Sequence, residues 1–221
     1  MWGGSLGARP FFMNRQDHWN SIYSLKNERE VSWFEPVPAV SLETIEASGI
    51  VPETSVLDVG AGESRLVDGL LAKGLRHIAL LDISVEALER TRTRLGPLGR
   101  TVTWIDADVT GEWKADPVDI WHDRAVFHFL TDAADRARYV RKLNELVKPH
   151  GTAIIATFAL DGPEMCSGLP VVRYCSNTLA AELGDNFALV ETRRHDHTTP
   201  RGTTQSFQYS RFRRTPPTSA V

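Results

Sequence analysis

Val56–Leu66 reads VLDVGAGESRL. An apolar run of strand type reaches an acid, Asp58, then a turn with Gly60 and Gly62, then Ser64, which can open a helix. Glycine allows positive φ and close approach of a ligand to the backbone, so the turn is also a candidate binding site. Strand, glycine turn and helix make the first unit of an open α/β sheet, and the same rhythm continues downstream. Ser64–Lys73 carries Leu66, Leu70 and Leu71 on a helical face, HIALLDI (77–83) is a strand, and Ser84 caps a helix running to Leu95. TVTWIDAD (101–108) and VDIWHD (118–123) are strands, followed by a helix over Ala133–Val147, a strand at GTAIIATFAL (151–160) and a short helix at Ser176–Leu183. FALVETRRHDH (187–197) and TTQSFQYSRFRR (203–214) are strands joined by TTPRG, which makes them an antiparallel edge pair. The expectation is an α/β fold with a seven-stranded, mostly parallel sheet and helices on both faces.

Upstream, DHWNSIYSL (17–25) sets Trp19, Ile22 and Tyr23 on one face of a short helix, VSWFEP (31–36) follows, and Pro38–Ser48 reads as a second helix. The pattern predicts a single domain over 13–214, with 13–50 as a helical arm and 51–214 as the core. Residues 1–12 are expected to be a disordered extension, and 215–221 a disordered tail.

The chain has 221 residues, 42 % of them hydrophobic, which is enough for one sizeable core. With 25 basic and 28 acidic side chains the net charge is −3, which gives no general attraction to nucleic acid or to an anionic membrane. No apolar run approaches the roughly 20 residues of a membrane helix, and the opening residues lack the pattern of a signal peptide. Two cysteines, Cys166 and Cys175, make no disulfide framework, so a reducing cytoplasmic setting is expected.

Ligands of open parallel sheets sit at the carboxyl ends of the strands. A dinucleotide fingerprint needs G-x-G-x-x-G, and here Arg65 stands at the third glycine. Asp58, two residues before Gly60, would repel a pyrophosphate and suits a cationic group. Asp82 ends the second strand and can accept both hydroxyls of a ribose, with Ile83 beside it. Asp108 ends the third and can accept from an exocyclic amine, although Asp106 competes for that role by register, and the backbone at Val109 can meet a ring nitrogen. The three ends thus offer an amino-acid site, a ribose site and an adenine site, which are the parts of S-adenosylmethionine.

These segments resemble the motifs of the class I S-adenosylmethionine-dependent methyltransferases. VLDVGAGES is similar to the first motif, LLDIS to the second, DADVT to the third and VDIWHDRAVFHFL to the fourth. LVKPHGTAIIATF is similar to the later strand with its LKPGG lead-in, with His150 where glycine is more usual. The resemblance covers Val51 to Phe158. It implies a Rossmann-like fold with strand order 3-2-1-4-5-7-6 and strand 7 antiparallel, S-adenosyl-L-methionine as cofactor and S-adenosyl-L-homocysteine as product. It implies cofactor contacts at Asp58, Gly60, Ala61, Gly62, Asp82, Ile83, Asp108, Val109 and Asp123. Asp123 and His128, with His122 behind, are the candidate bases.

In related enzymes the segment before the first strand covers the cofactor, so Trp33 and Phe34 are expected to act as a lid. The acceptor pocket is expected to use Trp19, Tyr23, Trp33, Phe34, Cys166, Arg173 and Tyr174, with Glu164 nearby. HDRAVFHFLTDAADRARYVRKLNELVKPHG resembles the thiopurine S-methyltransferase-like branch, which implies a small-molecule acceptor such as a thiol or metalloid. The HWxxxY…W start also resembles protein-lysine methyltransferases, which is the alternative within the enzyme class. A nicotinamide oxidoreductase comes third because of Arg65, and a cofactor-binding module without turnover is the reading from another class. The set Cys166, Cys175, His195 and His197 lacks zinc-like spacing, so no metal is expected. Neither a nucleic-acid nor a membrane partner is expected.

Overall fold

The computed structural model describes residues 14–216. The expected extension at 1–12 and the tail at 217–221 lie outside the described residues. Thr215, the first residue of the expected tail, is held to the body, where its N–H donates to Asn186 O at 2.9 Å.

The chain forms α1 (Arg15–Leu25), α2 (Ala39–Glu46), β1 (Ser55–Val59), α3 (Leu66–Ala72), β2 (His77–Asp82), α4 (Val85–Leu95), β3 (Val102–Asp106) and β4 (Val118–Arg124). It continues with α5 (Ala133–Leu146), β5 (Val147–Phe158), β6 (Met165–Cys166), β7 (Leu169–Pro170), α6 (Ser176–Leu183), β8 (Phe187–Thr198) and β9 (Thr204–Arg214). The main sheet has the order β3-β2-β1-β4-β5-β9-β8, and β9 runs antiparallel to both of its neighbours. Without the two-residue strands β6 and β7 this is the expected order, and the fold is the Rossmann-like methyltransferase fold.

Side chains on a strand alternate between the faces of its sheet, and this alternation sorts the core. On one face Val56, Ile78, Ile120 and Ile154 meet Ile45 of α2, Leu66 and Leu70 of α3 and Leu88 of α4. On the other, Leu57, Val59, Leu81, Trp121 and Ile155 meet Tyr139, Leu143 and Leu146 of α5 and Leu179 of α6. Each of these buried large side chains stabilises the fold by about 1.5–3 kcal/mol through the water it sheds. Ser84 is the cap read from sequence, its Oγ accepting from Ala87 N at 3.3 Å; Asp132 caps α5 by accepting from Ala134 N at 2.8 Å, and α6 is capped by Cys175.

Two local features were not legible beforehand. The β6–β7 hairpin turns on Ser167 and Gly168, both at positive φ (51° and 78°), the conformation that a two-residue hairpin loop requires. His150 also sits at positive φ, 61°, at the position where glycine would be the ordinary choice. None of the described helices is long and apolar enough to cross a membrane.

Candidate active site

The glycine turn follows β1 and is built to be thin. Gly60 and Gly62 have φ of 67° and 51°. A Cβ on Gly60 would overlap Val126 Cγ2, and one on Gly62 would overlap the Tyr23 hydroxyl. Gly60 N–H and Ala61 N–H both donate to Leu81 O, at 2.7 and 3.0 Å, and Thr91 Oγ1 donates to Gly62 O at 2.9 Å, so the turn is fastened to β2 and α4.

Asp82 ends β2 under this turn. One carboxylate oxygen accepts from Gly62 N–H and the other from Ser84 N–H, both at 2.8 Å. Burial pushes its pKa up to about 6, against the lowering effect of those two donors. One lone pair on each oxygen is left for a ligand. At the end of β3 the side chain in the cleft is Asp108. Asp106 is exposed at the strand end and does not line the cleft. Asp108 Oδ1 accepts from Thr110 N and Oγ1 at 2.8 and 2.7 Å, and its Oδ2 lies 3.5 Å from Arg15.

One cleft is lined by Gly60, Asp82, Ile83, Asp108 and Val109 on the sheet side and by Trp19, Tyr23, Trp33 and Phe129 from above. Its far end is walled by Phe158, Cys166, Gln205 and Phe207, with Arg124 between the two ends. A smaller polar cavity adjoins it. Asp58, His122, Ser41, Ser64 and Arg65 line that cavity, and it shares Gly60, Trp33 and Arg124 with the cleft. Asp58 therefore faces a separate chamber beside the turn. Its Oδ1 is 2.7 Å from His122 Nδ1, and no described residue bonds its Oδ2.

Several expected contacts fall elsewhere. Asp123 points to the α5 side of the sheet, because it alternates with His122 along β4. Its carboxylate accepts from Tyr139 OH at 2.7 Å, Val126 N at 2.8 Å and Phe127 N at 3.1 Å, and it is fully buried. It fixes the turn after β4 and lines neither chamber. His128 is fully buried behind Phe129 and Phe158, with ring centroids 4.5 and 4.7 Å away. Burial, aided by the charge of Arg124, drives its pKa down to about 3, so it stays neutral. Neither residue can act as a base on a ligand in the cleft. Tyr174 packs on Phe127 beneath the site, at a ring distance of 5.4 Å. Arg173 turns outward to Glu164 at 2.9 Å. Phe34 lines the small polar cavity rather than the cleft.

The structure tests the buried role of Asp123 directly. Tyr139→Phe should cost about 1–3 kcal/mol of stability, because it removes one of the two donors to a buried carboxylate oxygen and leaves the Trp121 N–H without its partner. Ligand affinity should not change. A denaturation curve beside a titration checks both, and a loss of affinity at constant stability would return Asp123 to the site.

Sequence reasoning missed Arg124, Phe129, Phe158, Gln205 and Phe207. Arg124 was in plain view after Asp123, yet its partner is 89 residues away, since it donates to Glu35 at 3.0 Å and to Trp33 O at 3.1 Å. Its guanidinium also lies over Phe207, 4.7 Å from the ring centroid. Glu35 in turn lies 3.3 Å from His197 and 3.5 Å from His195. Burial works to raise Glu35, but the His197 hydrogen bond and the Arg124 charge override it and hold the carboxyl below its usual range. His197 Nε2 is 2.7 Å from Ser32 O. This group could be taken for a metal site, but Arg124 already supplies its positive charge. It serves as a clasp that pins residues 32–35 against β4 and β8. Arg65 to Glu28 at 2.6 Å and Arg15 to Asp135 add ion pairs to the same closed arm.

Residues 57–153 match a family model described as a methyltransferase domain. No curated protein sequence matches the chain. Among solved structures, one from a study of the conversion of a disulfide bond into a thioacetal group during echinomycin biosynthesis aligns with a TM-score of 0.73 and 16% identity, over 93% of this chain and 94% of that one. The N-methyltransferase NodS from Bradyrhizobium japonicum, in complex with S-adenosyl-L-homocysteine, aligns at 0.68 and 15%, over 90% and 99%. The 1,6-didemethyltoxoflavin-N1-methyltransferase of Burkholderia thailandensis, with its substrate and S-adenosylhomocysteine bound, aligns at 0.62 and 19%, over 88% and 81%. At these identities the likeness is one of fold, and it extends beyond the segment that the family model matches. With the strand order, it shows that the chain has the fold of the class I S-adenosylmethionine-dependent methyltransferases, and residues 57–153 carry the matched methyltransferase domain.

Proposed function

We propose that the chain transfers a methyl group from S-adenosylmethionine to a small-molecule acceptor. The observation that carries this reading is the shared cleft of Asp82, Asp108 and Gly60, which meets the chamber of Asp58 at the glycine turn. In this reading Asp82 receives the ribose hydroxyls on its free lone pairs, Asp108 receives the adenine amine and Val109 walls the ring. The ammonium end enters the Asp58 chamber. The residues present fit such a guest, because each Asp82 oxygen keeps a free lone pair beside the thin glycine turn and because a cation suits the unpartnered Asp58 oxygen.

The cofactor supplies a methyl group already activated on a sulfonium, so the protein contributes alignment and water exclusion. Trp19, Tyr23 and Trp33 roof the cleft with ring centroids about 6 Å apart, and their faces favour a cation. The acceptor lobe is Phe158, Phe207, Cys166 and Gln205. Burial pushes the Cys166 thiol up to about 11, so it stays protonated and packs as an apolar wall. No described carboxylate lines that lobe. An acceptor that brings its own lone pair, such as a thiol or a soft metalloid, suits this lobe. A lysine ammonium does not, since it would meet the Arg124 charge and find no base. The arm acts as the lid, and a reducing cytoplasmic setting without a nucleic-acid partner completes the proposal.

Calorimetry tests the proposal. S-adenosylhomocysteine should bind in the micromolar range and NAD should not. Ribose hydroxyls favour the ionised Asp82, so bound Asp82 has a lower pKa than free Asp82. Affinity should therefore weaken about fivefold between pH 6 and pH 5 and level off above pH 7, following the carboxyl at about 6. Tight NAD binding without adenosylhomocysteine binding would overturn the reading.

A further inference from the structure

Asp58 and His122 are register partners on neighbouring parallel strands, and both point to the α2 side of the sheet. His122 Nδ1 lies 2.7 Å from Asp58 Oδ1, and His122 Nε2 lies 2.9 Å from Ser41 Oγ. Ser41 Oγ is in turn 3.3 Å from Tyr209 OH. All four side chains are buried. One assignment of protons satisfies the whole chain with a neutral imidazole: Tyr209 donates to Ser41, Ser41 donates to Nε2, and Nδ1–H donates to Asp58. The row resembles a serine hydrolase triad in order, but the Ser41 hydroxyl is buried and already engaged by both His122 and Tyr209. Its open end is the carboxylate. Asp58 Oδ1 is occupied, while Oδ2 has no partner among the described residues and belongs to a side chain that lines the polar chamber.

We infer that His122 is a positioning residue for the amino-acid end of the cofactor: the hydrogen bond it holds from Ser41 and Tyr209 fixes the Asp58 carboxylate so that its free oxygen meets the ammonium. The inference rests on the methyltransferase reading and extends it. Without His122, Asp58 is one rotamer among several in a chamber that also holds Glu28, Glu35 and Glu63. With it, the carboxylate is aligned before the ligand arrives, and binding loses no side-chain freedom there. The effect is confined to one end of the ligand, because His122 touches neither Asp82 nor Asp108.

This confinement supplies the test. S-adenosylhomocysteine carries the amino-acid tail, and 5′-methylthioadenosine is the same nucleoside without it. Titrate both into the wild type, His122→Leu, His122→Asn and Ser41→Ala. His122→Leu removes the donor and should weaken S-adenosylhomocysteine about tenfold, the size of one charge-assisted hydrogen bond, while 5′-methylthioadenosine changes less than about twofold. His122→Asn retains an N–H near the position of Nδ1 and should restore most of the affinity. Ser41→Ala should cause a smaller loss with the same selectivity, and it carries the test if the leucine variant does not fold. Equal losses for both nucleosides would make His122 a merely structural residue and overturn the inference, as would unchanged S-adenosylhomocysteine affinity in His122→Leu. A wild type that binds neither nucleoside overturns the methyltransferase reading itself, and the inference with it.

Discussion

Gly60→Ala is expected to melt about 5–20 °C below the wild type and to lose measurable nucleoside binding. Two costs combine. Alanine at φ of 67° occupies a left-handed conformation, and its Cβ overlaps Val126 Cγ2. Strain of that kind costs about 1–3 kcal/mol, overpacking about as much again, and each kcal/mol lowers the melting temperature of a chain this size by roughly 2–4 °C. Val126 cannot step aside freely. Its side chain is β-branched and stiff, and its N–H is held by Asp123 at 2.8 Å. Moving it shifts the turn that carries Phe129 and Leu130, both of which line the cleft. Gly74→Ala is the control, since Gly74 has φ of 83° and nothing within 4 Å of the added carbon. It should show the strain without the clash and leave binding unchanged. If the two variants melt alike, the contact with Val126 yields and the turn is not as tightly constrained as its geometry indicates.

The same turn shows what the sequence discloses and what it hides. Positive φ at Gly60 and Gly62 follows from VGAG after a strand, because few other motifs place two glycines there, and the sheet order followed from the hairpin and the motif resemblance. The strand-end acid Asp82 was legible because strand ends are recognisable from apolar periodicity, whereas the same periodicity left Asp106 and Asp108 in competition, and β3 ends at Asp106 with Asp108 lining the cleft beyond it. Asp123 was misjudged for a reason that period-two alternation could have supplied. Ile120 and His122 share one face of β4, and Trp121 and Asp123 share the other. The face toward α5 holds Tyr139, whose hydroxyl needs a buried acceptor. What no local pattern could supply was the far end of the cleft. Phe207 and Gln205 arrive on β9, Cys166 on a two-residue hairpin, and Arg124 meets an arm residue 89 positions earlier. Contacts at such separation are fixed by topology, which local patterns do not encode.

Asp82→Ala separates binding from stability, and it is expected to weaken S-adenosylhomocysteine more than about 100-fold while changing the stability of the free protein little. Two charge-assisted hydrogen bonds to the ribose are lost, at about 1.5–3 kcal/mol each, and 1.4 kcal/mol is a factor of ten. The stability terms oppose each other. Truncation strands the N–H groups of Gly62 and Ser84, about 1–3 kcal/mol apiece. It also removes a carboxylate whose burial raises its pKa from 3.8 to about 6, a penalty of roughly 3 kcal/mol when the group is ionised at pH 7. The sign can be checked by pH. A carboxyl with a raised pKa keeps its proton in the folded state after the unfolded chain has released it. The stability it contributes is therefore complete below about pH 4 and is lost as pH rises through 6. Asp123, also raised to about 6, acts in the same direction, while the buried neutral His128, lowered to about 3, acts in the opposite one. The difference between wild type and Asp82→Ala isolates the single group. Measured by denaturant unfolding at pH 4.5 and 7.5, the variant should gain on the wild type as pH rises. A difference that is flat with pH would mean that Asp82 ionises in the folded protein as it does in water, and the carboxylate under the glycine turn would then not be the poised ribose acceptor that the cleft requires.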